Sequence, residues 1–141
     1  MNEMTWYAID AVDKVQAAFC KFIYANDVGA TGAHQDGIYI PKNCWSLIFD
    51  NPSEKGVNKD HFVKIRWKNN FETDNRFIYY GKGTRNEYRL TRFGKRFPFF
   101  QEDNVGDLII ICRTELDYYF GFVLSADEDI DNFFGYFQYF T

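Results

Sequence analysis

Hydrophobic positions near the start recur at helical spacing. Trp6, Ile9, Val12 and Val15 stand about one turn apart with Asp10, Asp13 and Lys14 between them, which predicts an amphipathic, core-packing helix over residues 4–18. Residues 19–24 then read as a strand ended by Asn26-Asp27, and the glycines of residues 28–37 mark a loop. Ile38-Tyr39-Ile40 is a short strand stopped by Pro41, Asn43 caps a short helix over 44–50, and residues 51–56 form a connector. The clearest alternation lies in residues 61–68, where Val63, Ile65 and Trp67 point one way and Lys64, Arg66 and Lys68 the other. Asp74-Asn75 predicts a turn into a strand over 76–80. Residues 87–91 predict another, with Glu87, Arg89 and Thr91 on one face. Residues 108–113 and 118–124 are apolar strands, and Asp127-Glu128-Asp129 opens a final helix or turn, acids being favourable at a helix N-terminus.

The expected class is therefore mainly β with short helices. Six or seven strands form a barrel or pseudobarrel with two long arms, residues 29–37 and 81–96. Aromatic residues make up 21% of the chain, and their preference for sheet faces supports that class. At 141 residues the chain is expected to be a single domain able to bury about two-thirds of its unfolded surface. Three widely spaced cysteines, Cys20, Cys44 and Cys112, argue against a disulfide framework and for a reducing cytoplasm. The longest apolar run, residues 108–112, falls far short of the ~20 residues a membrane span needs, so a soluble protein without a membrane partner is expected.

Charge sharpens the picture. The chain carries −4 overall, yet residues 82–96 hold six basic side chains and one acid, a local +5 that leaves −9 elsewhere. Residues 59–96 hold eleven basic and four acidic side chains, residues 101–141 one and nine. A basic segment rich in Arg, with Asn, Glu and aromatics interleaved, suits phosphates and base edges, and predicts a nucleic-acid-reading arm.

Enzymatic alternatives find little support in the sequence. Gly81-Lys82-Gly83-Thr84 resembles part of a phosphate-binding loop, but Arg76 stands where that motif needs its first glycine. The cysteines and the two histidines lack zinc-ligand spacing, and no Gly-x-Ser-x-Gly occurs. Asp50, Glu54 and Lys55, the nearest approach to a nuclease centre, lie in or beside the Pro-containing connector, and Asp127, Glu128, Asp129 and Asp131 read as a solvated turn. No catalytic residue, metal ligand or cofactor is expected. A small stand-alone nuclease and a single-strand binder using aromatic stacking remain the alternatives.

Two segments, ANDVGATGAHQDGIYIPK (residues 25–42) and, about forty residues later, YGKGTRNEYRLTRFG (residues 80–94), resemble the N-terminal effector-binding domain of EcoRII-type restriction endonucleases. The similarity extends from about Phe19 to Cys112. It implies the DNA-binding pseudobarrel shared with plant transcription factors, in which two arms grip the major groove. Residues 31–39 would form the first arm and residues 82–96 the second. It further implies recognition of a CC(A/T)GG-like duplex as an allosteric effector of a separate C-terminal nuclease domain in a bacterial, cytoplasmic type II enzyme. The chain is expected to end where that nuclease begins, and Mg2+ would serve only that absent domain. Ala33 and Asp36 fall where related sequences vary, and an acid at 36 repels phosphate unless it accepts from cytosine.

In the second arm, Arg85 and Arg89 can each fork onto guanine O6 and N7, and Glu87 between them can accept from cytosine N4. The structural alternative is a solvated β-hairpin with cross-strand ion pairs. Lys82, Arg92, Lys95 and Arg96 suit phosphates, Thr84 and Thr91 complete the expected contacts, and Asn86 either reads adenine or holds the turn. Tyr88 is expected to pack. In the first arm, Thr31, Gly32, His34, Gln35 and Asp36 are expected at the DNA. Thr31 has turn-capping as its alternative, and Tyr39 faces either DNA or core.

Overall fold

The computed structural model describes residues 3–13, 17–28, 37–115 and 118–138. Helix α1 (Glu3–Asp13) precedes strands β1 (Ala17–Phe22) and β2 (Ile38–Ile40), the latter followed by a 3-10 segment, Lys42–Leu47. Then come β3 (Lys59–Arg66), β4 (Glu72–Tyr80), β5 (Glu87–Thr91), β6 (Leu108–Glu115), β7 (Tyr118–Leu124) and helix α2 (Asp127–Gln138). The seven strands form one curled, half-barrel sheet in the order β1-β6-β7-β3-β4-β5-β2. The β3/β7 pair is parallel and the others are antiparallel.

Two apolar layers explain the burial pattern. Inside the curl, Phe19, Ile65, Phe77, Tyr79, Tyr88 and Leu90 pack with Ile109, Ile111 and Tyr119. On the opposite face of β6, residues Leu108, Ile110 and Cys112 pack under α1 and α2 against Ala8, Ile9, Ile130 and Phe133. Because both faces of β6 are covered, the run 108–112 has no polar alternation and is buried throughout. Burial also pushes the Cys112 thiol up to about 12, holding it protonated.

Several boundaries differ from the sequence expectation. The predicted helix over 4–18 ends at Asp13, and Ala17-Ala18 already pair with Arg113 and Cys112, so sheet pairing overrides the helix preference of alanine. The buried stripe of α1 is Thr5, Ala8 and Ile9, whereas Trp6 is 55% exposed; Val15 lies outside the described residues. The predicted helix over 44–50 is instead the earlier 3-10 segment, after which Ile48 and Phe49 drop into the core. Asp74-Asn75 is not a turn but the middle of β4. Asn75 is fully buried, accepts from the Thr73 hydroxyl at 2.5 Å and donates to the Thr91 carbonyl at 2.9 Å, while Trp67 Nε1 donates to Thr73 Oγ1 at 2.9 Å. This relay satisfies polar groups that would otherwise oppose burial. The reversal falls earlier, at Lys68–Asn70, where Asn70 adopts φ 60.

Ile111→Ala is expected to lower unfolding free energy by about 2 to 5 kcal/mol, while Trp6→Ala costs less than about 1 kcal/mol. Denaturant titration of the two variants checks this; equal losses would contradict the layer assignment.

Candidate nucleic-acid interface

The β4–β5 hairpin carries the second arm. Tyr88 and Leu90 point into the core, so Glu87 and Arg89 alternate to the outer face, where Arg89 lies opposite Tyr39 of β2. β2 is the strand that follows residues 29–36. Gly37, just before it, approaches the β5 backbone so closely that a Cβ would lie 2.0 Å from the Leu90 carbonyl, and its φ of +88 further favours glycine. The Arg89 guanidinium reaches the Gly37 carbonyl at 3.5 Å. The end of the first arm is thereby fixed beside the second arm's strand.

Gly81 allows the arm to leave β4. A Cβ there would stand 2.4 Å from both the Tyr79 ring and the Val57 carbonyl. Beyond it, the Arg85 guanidinium lies 3.6 Å from the centroid of the Tyr80 ring, and its Nε donates to Glu87 at 3.0 Å. Arg89 Nη1 lies 3.8 Å from the other Glu87 oxygen. Glu87 thus stands between both arginines, pairing with neighbours two residues away along the chain rather than across the hairpin as the ion-paired alternative expected, and the Arg89 side chain is only 14% exposed. On the outgoing side, Phe93 and Phe97 are buried against Trp67, which leaves Arg92, Lys95 and Arg96 exposed around them. Arg92 adopts φ 64 and lies over the exposed Phe62 ring at 5.1 Å.

The pairing of charges separates two basic regions. On β3 and β4, Lys64 faces Glu72 and Asp74, Arg66 faces Glu72 and Arg76 faces Asp60. Two of the three cations predicted on the outer face of β3, Lys64 and Arg66, are therefore paired across the ladder, whereas Lys68 has no acidic partner among the described residues. Among the described residues, Lys82, Arg92, Lys95 and Arg96 have no acidic partner, and all four are exposed.

The remaining positions divide. Thr84 is exposed at the arm's tip and Tyr39 is 43% exposed. Asn86 accepts from the Tyr79 hydroxyl at 2.7 Å and so holds the turn. Tyr88 is buried, with its hydroxyl accepting from the Ser53 amide. Thr91 departs from expectation: it is 2% exposed, its hydroxyl donates to the Arg76 carbonyl and its own carbonyl serves the Asn75 relay, so it belongs to the core. Thr31, Gly32, His34, Gln35 and Asp36 lie outside the described residues. Phe62 and Asn58 adjoin the arm without having been singled out by sequence, and Lys55, considered there only for a nuclease centre, joins them; cross-strand register and long-range contacts bring these three to the arm.

The model of the family described as the restriction endonuclease EcoRII N-terminal domain matches residues 12–137. The chain belongs to that family. Type II restriction enzyme EcoRII of Escherichia coli is 36% identical over 83 residues, which cover 53% of this EcoRII N-terminal-type domain and 20% of that enzyme. The match thus spans about one fifth of the curated relative. Among solved structures, the UbaLAI restriction endonuclease B3 domain, crystallised with its cognate DNA, has a similar fold. Its TM-score is 0.53 at 19% identity, covering 95% of this chain and 88% of that one. The half-barrel of this EcoRII N-terminal-type domain is accordingly a B3-like pseudobarrel.

Gly81→Ala is expected to destabilise the domain by about 1 to 3 kcal/mol through overpacking, whereas Thr84→Ala at the open tip stays within about 0.5 kcal/mol. Thermal unfolding of both variants is the check; a neutral Gly81→Ala would contradict the close approach.

Proposed function

We propose that this chain binds duplex DNA in a sequence-specific manner through the major groove, as the effector or target-recognition domain of a type II restriction endonuclease. The observation that carries the reading is the set of exposed arm cations without acidic partners among the described residues, on a chain whose β3–β4 cations Lys64, Arg66 and Arg76 are paired with acids. Membership of the EcoRII N-terminal family and a fold shared with a DNA-bound B3 domain support it. Catalysis would reside elsewhere in the full protein, a bacterial cytoplasmic enzyme, and no cofactor is assigned to this domain.

In the proposed complex, Lys82, Arg92, Lys95 and Arg96 meet phosphates and fix the register, with Thr84 at the tip. Arg85 and Arg89 supply donors for guanine, and Glu87 accepts from cytosine N4. A carboxylate has about four acceptor sites, so Glu87 can serve cytosine while still orienting Arg85. That chemistry fits a G·C-flanked site of the CC(A/T)GG kind. Arg89 must turn from Gly37 to reach a base. Tyr39 borders the same face, and the first arm, with Thr31, Gly32, His34, Gln35 and Asp36, closes on the duplex from the β2 side.

Selection of bound duplexes from a random pool is expected to return a short G·C-flanked consensus. On that consensus, Arg85→Ala should cost about 1 to 3 kcal/mol and relax one base pair. Lys95→Ala should instead weaken all sequences alike and reduce the log–log salt slope by about 0.9. Sequence-blind losses from both substitutions, or preference for single strands, would contradict the proposal.

A further inference from the structure

The tip of the second arm is held from below by the connector that precedes β3. Lys55 Nζ donates to the Gly81 carbonyl at 2.7 Å and the Gly83 carbonyl at 2.5 Å. The Gly56 amide donates to the same Gly81 carbonyl at 2.8 Å. Asn58 Oδ1 accepts from the amides of Gly81 and Lys82 at 3.0 and 3.2 Å, and the Arg85 amide closes onto the Lys82 carbonyl at 3.3 Å. The carbonyls of residues 81–83 are thus engaged by protein donors. The amides of Gly83 and Thr84, by contrast, have no hydrogen-bond acceptor among the described residues. Both residues are exposed, and a Cβ built on Gly83 would meet nothing within 4 Å.

Resting on the DNA-binding reading above, we infer that this turn is a phosphate-receiving cradle, in which the Gly83 and Thr84 amides take one phosphodiester oxyanion and Lys55 and Asn58 act as positioning residues. Successive amides beside a left-handed glycine form a concave donor set suited to an anion; here Gly83 has φ +65. The Lys55 ammonium would ordinarily be counted as a phosphate contact. Its placement commits it to two carbonyls instead, so its charge orders the turn, while the neighbouring Lys82 supplies the exposed cation.

The two roles separate by salt dependence. Lys55→Met is expected to weaken duplex binding roughly fivefold to tenfold, the worth of one or two net hydrogen bonds, with the log–log salt slope unchanged. A lysine on a phosphate would instead lower that slope by about 0.9. Asn58→Leu, which leaves net charge unaltered, is expected to give a similar loss. Scanning the duplex with single methylphosphonate linkages should find one linkage that costs the wild-type protein about fivefold and the Lys55→Met protein under about twofold, since a disordered cradle no longer uses that oxygen. Unchanged affinity in both variants, a slope reduced in Lys55→Met, or identical methylphosphonate profiles in the two proteins would overturn the cradle. Failure of the wild-type protein to bind any duplex would overturn the DNA-binding reading on which it rests.

Discussion

Tyr88 and Leu90 enter the core from β5, and that burial determines where the charged side chains between them must stand. Their rings and methyl groups pack with Phe49, Phe77 and Tyr79, so the two-residue period of the strand turns Glu87 and Arg89 outward. A one-residue slip would exchange the faces, burying an acid and a cation while exposing two large apolar groups. The same strand pairs with β4 on one side and β2 on the other. The hydrophobic core thereby fixes the second arm's orientation and seats the end of the first arm beside it.

Charge acquires meaning through that register. Lys64, Arg66 and Arg76 are basic residues of the same stretch as the arm, yet their neighbours across the β3–β4 ladder are Asp60, Glu72 and Asp74. Exposed pairs of this kind contribute little stability, but they cancel the field of that face. At the arm's tip Arg85 is paired with Glu87, but Lys82 and the outgoing Arg92, Lys95 and Arg96 have no such neighbours among the described residues, so exposed unpaired positive charge gathers there although the chain is acidic. Phe93 and Phe97 hold the outgoing segment to Trp67, so these cations project from a packed foundation.

Much of the sheet was legible because alternation is a direct imprint of half-buried strands: Val63, Ile65 and Trp67 are buried as their spacing predicts. The misjudged places are those where a non-local partner reverses a local preference. Asn75 looks like a turn residue, but Thr73 and Thr91 satisfy its amide inside the sheet. Thr91 shares the parity of Glu87 and Arg89, yet it lies at the strand's end, where that relay encloses it. Trp6 fits a helical stripe that the helix does not bury. The arm's basic cluster was visible as composition, whereas the brace was not. Lys55 and Gly81 are 26 residues apart, and no local pattern joins an ammonium to a carbonyl at that separation.

Hydrogen exchange measured on the domain with and without a selected duplex tests the central claim most directly. The account predicts that added duplex slows exchange at the arm's tip, residues 82–86, and around Tyr39, while α1 and α2 on the far layer exchange as before. Protection confined to the helical layer, or none in the arm at a saturating duplex concentration, would contradict it.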